Sequence, residues 1–216
     1  AKLDLGVPSD GYGADNDLTG GRGDHEGVCV ASKEALEAAL NIIRPGVTLG
    51  EIGKTIQDTI TAKGLQPIKN LSGHGLGRFQ IHTSPSIPNV DTHDDTVLEE
   101  GMVIAIEPFA TDGVGAIFES TNPTIFSHVA NRPTRSPFAR QILTRIQQFD
   151  GLPVASRWLE REFGVGKVRL GLAELMRNGS VIAHPPLPEK GDGLVSQHEH
   201  SVIVADPPIV FTRDVQ

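Results

Sequence analysis

Asp4 and Asp15 stand eleven residues apart in a stretch that reads as a β-hairpin, and His74, Glu107 and Glu199 follow far downstream, each inside or beside an apolar, strand-like run. Four carboxylates and one imidazole form a ligand set for two divalent cations. Carboxylates gathered in this number repel one another unless metal ions neutralise them. The chemistry such a set points to is hydrolysis. A cation lowers the pKa of bound water and polarises a carbonyl, and two cations about 3.5–4 Å apart can share the water and clamp a substrate. Bridging two ions takes carboxylates, which have two oxygens to offer, whereas an imidazole binds one. Oxygen-rich donors suit Mn or Fe(II), and the histidine makes Co or Zn suitable as well.

Local patterns must position these groups. Leu3 and Leu5 alternate with Asp4, as in a strand, and Pro8-Ser9-Asp10-Gly11 is a turn by composition, with a second strand near Tyr12 to Leu18. Val28, Ala31, Ala35, Ala38, Ala39, Ile42 and Ile43 have helical spacing that Pro45-Gly46 stops. Thr48-Leu49-Gly50-Glu51 is a capping box opening a second helix toward Ala62, with Gly64 as its stop. Residues 67–82 are β-like and glycine-rich, and His74 lies in Gly73-His74-Gly75-Leu76-Gly77, where missing side chains allow close approach of the backbone. Asp91 to Asp95 is an acidic loop. Met102 to Phe109 reads as a buried strand with Val114 to Glu119 as its hairpin partner. A carboxylate at Glu107, in such a strand, needs a partner.

Composition then changes. Phe138–Phe149, Val154–Phe163 and Lys167–Arg177 are helical patterns, followed by Val181-Ile182-Ala183 and the cluster Pro185-Pro186-Leu187-Pro188. Three short helices closing on a β-ribbon make a winged-helix-like module. Such modules often bind DNA, but an insertion packed on the main domain suits an acidic chain better. Strand character returns at Glu199–Val204 and Ile209–Phe211.

The 216 residues suffice for one large domain or one domain with a sizeable insertion. Composition is that of a globular protein, 38% apolar and 21% charged, and the net charge of −8 argues against a non-specific nucleic-acid or anionic-membrane surface. No apolar run approaches a bilayer span and no signal-peptide pattern is present. Cys29 is the only cysteine, which suits a reducing cytosol, and is expected to be a small buried hydrophobe.

The motifs in order resemble a known family. Asn70-Leu71-Ser72-Gly73-His74-Gly75-Leu76-Gly77 with Ile81-His82 is similar to the metal-histidine region of type 2 methionine aminopeptidases of the archaeal kind, members of the M24 metallopeptidases. Leu98 to Phe109 resembles that family's glutamate strand, Gln197-His198-Glu199-His200-Ser201 its last ligand strand, and Leu3-Asp4-Leu5-Gly6 with Asp10-Gly11-Tyr12 and Asp15 its two-aspartate hairpin. The long gap between Glu107 and Glu199 resembles type 2 rather than the compact type 1. The resemblance covers nearly the whole chain.

It implies an α+β pita-bread (creatinase/aminopeptidase) fold: residues 1–119 as its first part, 120–195 as a helical winged-helix-like insertion, and 196–216 as its last strands. It implies removal of N-terminal methionine from nascent polypeptides in the cytoplasm by a monomer, with the ribosome as a candidate partner and neither membrane nor nucleic acid expected. Asp4, Asp15, His74, Glu107 and Glu199 would hold two divalent ions (Co, Mn, Fe or Zn), with Asp15 and Glu199 bridging. Glu107 would also be the general base, and His82 would contact substrate and help stabilise the tetrahedral intermediate. In the family a second catalytic histidine and part of the methionine pocket lie upstream of the first metal aspartate. Nothing precedes Ala1 in this sequence, so the chain reads as N-terminally truncated and is expected to bind metal but to cleave Met-peptides poorly.

Other readings carry less. Asp15-Asn16-Asp17-Leu18-Thr19-Gly20 with Glu26 mimics an EF-hand loop, but a strand rather than a helix precedes it. Arg22-Gly23-Asp24 is a three-residue match in a glycine-rich loop. An Xaa-Pro peptidase of the prolidase or aminopeptidase P type shares fold and ligands with the methionine enzyme, and differs in substrate. A non-catalytic relative acting as a binding module would have lost ligands, and all five are present. His25, His93, His128 and His184 read as solvated, Trp158 as core, and His198 and His200 as pointing away from Glu199.

Overall fold

The computed structural model describes residues 25–213, so the expected hairpin carrying Asp4 and Asp15, and most of the EF-hand-like loop, lie outside the described residues. The chain forms two compact units, one of residues up to Leu76 with His82–Ile117 and Glu189 onward, the other of Gly77–Ile81 with Phe118–Pro188.

In the first unit, α1 (His25–Ile42) buries Val28, Ala31, Ser32, Ala35, Leu36, Ala39 and Leu40. That three-to-four spacing is a single stripe along one face. The same phase turns Cys29 outward: it is a free, exposed thiol, not the buried hydrophobe expected from its residue type. The stripe also takes in Ser32, a polar residue fully removed from solvent. α2 (Leu49–Thr61) starts at the expected capping box, in which the Thr48 side chain accepts from the Glu51 N–H and Glu51 accepts from the Thr48 N–H. Gly64, at φ +74°, follows its end.

The strands are β1 (Gln66–Pro67), β2 (Ser72–Gly77), β3 (Gln80–Pro88), β4 (Val103–Ile106), β5 (Phe109–Thr111), β6 (Ile125–His128), β7 (Val154–Ala155), β8 (Val181–His184), β9 (Val195–Gln197), β10 (His200–Ile203) and β11 (Ile209–Val210). A five-stranded sheet runs in the order β11-β10-β4-β2-β3, and a three-stranded one in the order β1-β5-β9. Ile104, Ile106, Val202 and Val204 join Ile43, Ile52, Ile56, Ile60 and the α1 stripe in one core.

The expected strand from Met102 to Phe109 is broken at Glu107-Pro108 into β4 and β5, which belong to different sheets. Proline has no N–H for a ladder, so the break falls where the pairing partner changes. Val114 to Glu119 is not the hairpin partner. The neighbours of β4 are β2 and β10, distant in sequence, and only Ile117 makes an isolated bridge, to Glu189.

The second unit has its own core of Phe126, Ala139, Ile142, Ile146, Val154, Leu159, Val168, Leu172 and Leu175. Its helices α3 (Pro137–Gln147), α4 (Ser156–Phe163) and α5 (Val165–Arg177) accompany a sheet ordered β7-β6-β8. α3 begins with the Ser136 side chain accepting from the Ala139 N–H and with proline in its first turn. Trp158, half-buried, packs against this core and stacks on Phe149 with ring centroids 5.9 Å apart. His184 is half-buried at the end of β8 and bonds Ser127 Oγ at 2.9 Å, so it is not the solvated side chain its polar surroundings suggest. No described helix is long and apolar enough to cross a membrane.

Candidate metal centre

His74 and Glu107 meet because β2 and β4 are antiparallel neighbours. The register pairs His74 with Ala105 and Gly75 with Ile104. On the other side of β4, β10 pairs Ser201 with Ala105 and His200 with Ile106, which brings Glu199 to the same end of β4 as Glu107. The close approach of β2 depends on its glycines. A Cβ on Gly73 would lie 2.2 Å from the Ala105 carbonyl oxygen, and one on Gly75 would lie 2.1 Å from that of Ser84.

His74 Nε2 lies 2.8 Å from Glu107 Oε1, and both side chains are nearly buried. Nδ1 lies 3.0 Å from the carbonyl oxygen of Gly75. Donation from Nδ1 to that carbonyl leaves Nε2 to face the carboxylate, the arrangement that orients a histidine as a metal ligand. Burial pulls the imidazole pKa down, but Glu107 and the Gly75 carbonyl together hold it above its ordinary value. The ring of His82, on β3, meets that of His74 edge to face with centroids 4.3 Å apart.

Gln197 joins the two glutamates. Its amide nitrogen donates to Glu107 Oε2 at 3.3 Å and to Glu199 Oε2 at 3.1 Å. Glu199 keeps much of its surface exposed, yet the burial of its carboxyl end and the like charge of Glu107 push it up to about 7. Such a shift marks negative charge that a cation would neutralise. The donor set present, two carboxylates and an oriented imidazole, fits a divalent ion. Among the described residues no group of three His, Cys, Asp or Glu side chains is placed to hold a metal ion by itself. The other two expected ligands, Asp4 and Asp15, lie outside those residues.

Behind the site, Ser32 Oγ lies 2.7 Å from Ser196 Oγ and 2.8 Å from His198 Nδ1, which ties α1 to the segment just before Glu199. His200 bonds Thr212 Oγ1 at 3.0 Å. Gln197 lies inside the motif around Glu199, yet the motif gives it no expected role. Its position two before Glu199, hence on the same side of an extended chain, was the available signal. Ser32 left none, since a serine on an apolar helix stripe looks like an interruption.

The model of the metallopeptidase family M24 matches residues 1–125. A methionine aminopeptidase of Thermococcus onnurineus is 46% identical over 206 residues, covering 94% of this chain and 70% of that protein. One from Archaeoglobus fulgidus is also 46% identical, over 95% of this chain and 69% of its own length. Among solved structures, a thermophilic Arx1 aligns with a TM-score of 0.69 at 18% identity, over 83% of this chain and 54% of that one. The methionine aminopeptidase of Thermotoga maritima aligns with a TM-score of 0.54 at 21% identity, over 90% and 55%. The chain thus spans about 70% of these curated relatives and about half of these two structures. The structural matches show the fold, the α+β pita-bread arrangement, and the sequence matches show descent. The chain belongs to metallopeptidase family M24 and, within it, to the methionine aminopeptidases, whose chemistry depends on divalent metal.

Proposed function

We propose that this chain carries a dinuclear centre that releases the N-terminal methionine of new polypeptides, held by Asp4, Asp15, His74, Glu107 and Glu199. The observation that carries the reading is Glu107, which shares the Gln197 amide with Glu199 on one oxygen and meets the oriented His74 on the other. Two divalent ions of Co, Mn, Fe or Zn, when bound, supply Lewis acidity and make water acidic enough to lose a proton near neutral pH. Glu107, a nearly buried carboxylate tied to His74, would serve as the base that takes up the proton. His82, beside His74, donates to the oxygen on which negative charge develops. Encounter with substrate at the ribosome, in the cytoplasm, follows from a nascent-chain substrate. Residues 120–195 read as a winged-helix-like insertion, a reading supported by three helices and a small sheet around their own core.

The names of the curated relatives favour methionine over the Xaa-Pro reading. The test is release of free methionine from Met-Ala-Ser beside cleavage of Ala-Pro-Phe, with each metal added in turn. Slow but metal-dependent methionine release, abolished in Glu107→Gln, is expected. Cleavage confined to the proline peptide would replace this reading with the rival.

A further inference from the structure

Glu189 is a carboxylate buried at 3% exposure, with no Lys, Arg or His among the described residues paired to it. Five backbone N–H groups take the place of a cation. Glu189 Oε1 accepts from Val114 at 2.7 Å, Gly115 at 3.0 Å and, more weakly, Ala116 at 3.5 Å. Glu189 Oε2 accepts from Gly191 at 2.5 Å and Gly193 at 3.1 Å. Burial alone would push this carboxyl up, but the converging donors outweigh it and hold the group below the ordinary carboxylate range.

The shell closes only because its walls lack side chains. A Cβ on Gly113 would stand 2.3 Å from Glu189 Oε2, and one on Gly193 would stand 2.4 Å from the Gly113 nitrogen. The two segments that donate are the continuations of the two that carry the site. From Glu107 the chain runs through β5 to Gly113–Ala116. From Glu189 it runs through Gly191–Gly193 into β9, Gln197 and Glu199. β5 and β9 pair with Phe109 opposite Gln197 and Thr111 opposite Val195. Asp112 Oδ1 adds a second tie, accepting from the Leu194 N–H at 2.7 Å.

We propose that Glu189 is a positioning residue of the metal centre: by taking N–H donors from both segments it locks the register of β5 against β9, and through Gln197 it sets the spacing of Glu107 and Glu199. The proposal rests on the dinuclear reading above. Carboxamide in place of carboxylate keeps the shape of the side chain but points N–H groups at N–H groups, so half of the shell opens.

The test is Co(II) titration of the whole chain and of Glu189→Gln, followed by calorimetry and by visible d–d absorption, with circular dichroism to establish that both are folded. The unsubstituted chain should take up two Co(II). Folded Glu189→Gln should bind the weaker ion roughly 10-fold less tightly and show an altered d–d band, which lowered stability alone would not produce. Unchanged affinity and spectrum in the folded variant would overturn the proposal. If Glu189→Gln does not fold, Glu189→Asp, which keeps the charge but draws the carboxylate back from its N–H donors, decides: a weaker, spectrally altered site supports the proposal and an unaltered one overturns it. An unsubstituted chain that takes up no Co(II) would overturn the dinuclear reading, and the proposal with it.

Discussion

His74 Nε2 and Glu107 Oε1 lie 2.8 Å apart across two neighbouring antiparallel strands. The contact makes the imidazole and the carboxylate one unit. Whatever moves β2 against β4 moves both groups that the proposed centre needs in fixed relation. That unit, rather than either residue alone, is what the glycines of β2 serve.

Gly73→Ala should therefore damage the site through the backbone. Its Cβ would sit 2.2 Å from the Ala105 carbonyl oxygen and 3.2 Å from the Glu107 nitrogen. Forcing the strands apart should cost roughly 1–3 kcal/mol of stability. Co(II) affinity should fall with it, and calorimetric titration beside a urea melt measures both. A stable variant with unchanged affinity would show that the spacing of β2 and β4 is not critical.

Gln197→Leu removes the shared amide donor from Glu107 and Glu199 while keeping comparable bulk. Loss of a hydrogen bond to the proposed metal-binding carboxylates should weaken metal binding roughly 10-fold. The thermal midpoint should barely move, because Gln197 is half-buried and outside the apolar core.

Thr48→Ala should act on stability alone. Both halves of the capping box at the start of α2 run through Thr48 and Glu51, and loss of such a cap costs about 1 kcal/mol. Thermal unfolding followed by circular dichroism should shift down with metal binding intact.

His184 makes the second unit sensitive to acid. Burial holds its pKa below the ordinary 6.5. The unfolded chain therefore takes up a proton before the folded one as pH falls, and stability is lost as pH drops from about 6.5 toward the folded value. Trp158, the only tryptophan, packs against that unit's core and reports its unfolding. The urea midpoint by Trp158 fluorescence should fall between about pH 7.5 and about pH 5.5, and should fall less in His184→Gln.

Much of this was legible in the sequence where a local rule decides. Thr48 to Glu51 carried its own cap, the stripe on α1 set its phase, and the three helical patterns from Phe138 to Arg177 appeared within a few residues of their places. Pairing was less legible. Val114 to Glu119 lay nearest in sequence to the β4 strand, yet β4 pairs with β2 and β10, because its apolar residues find their core with strands far along the chain. His74, Glu107 and Glu199, the proposed ligands, stood out by motif, and the strand pairing brings His74 and Glu107 into contact. Ser32 and Glu189 carried no such mark, and Gln197 lay in a motif without an expected role, since their partners are backbone groups or side chains brought together only by folding.

Counting metal per chain tests the central claim most directly. Elemental analysis of the chain after Co(II) loading and gel filtration should give two ions per chain, and Glu199→Gln should give one or none. No bound metal in the unsubstituted chain, or two ions still held by Glu199→Gln, would contradict the account.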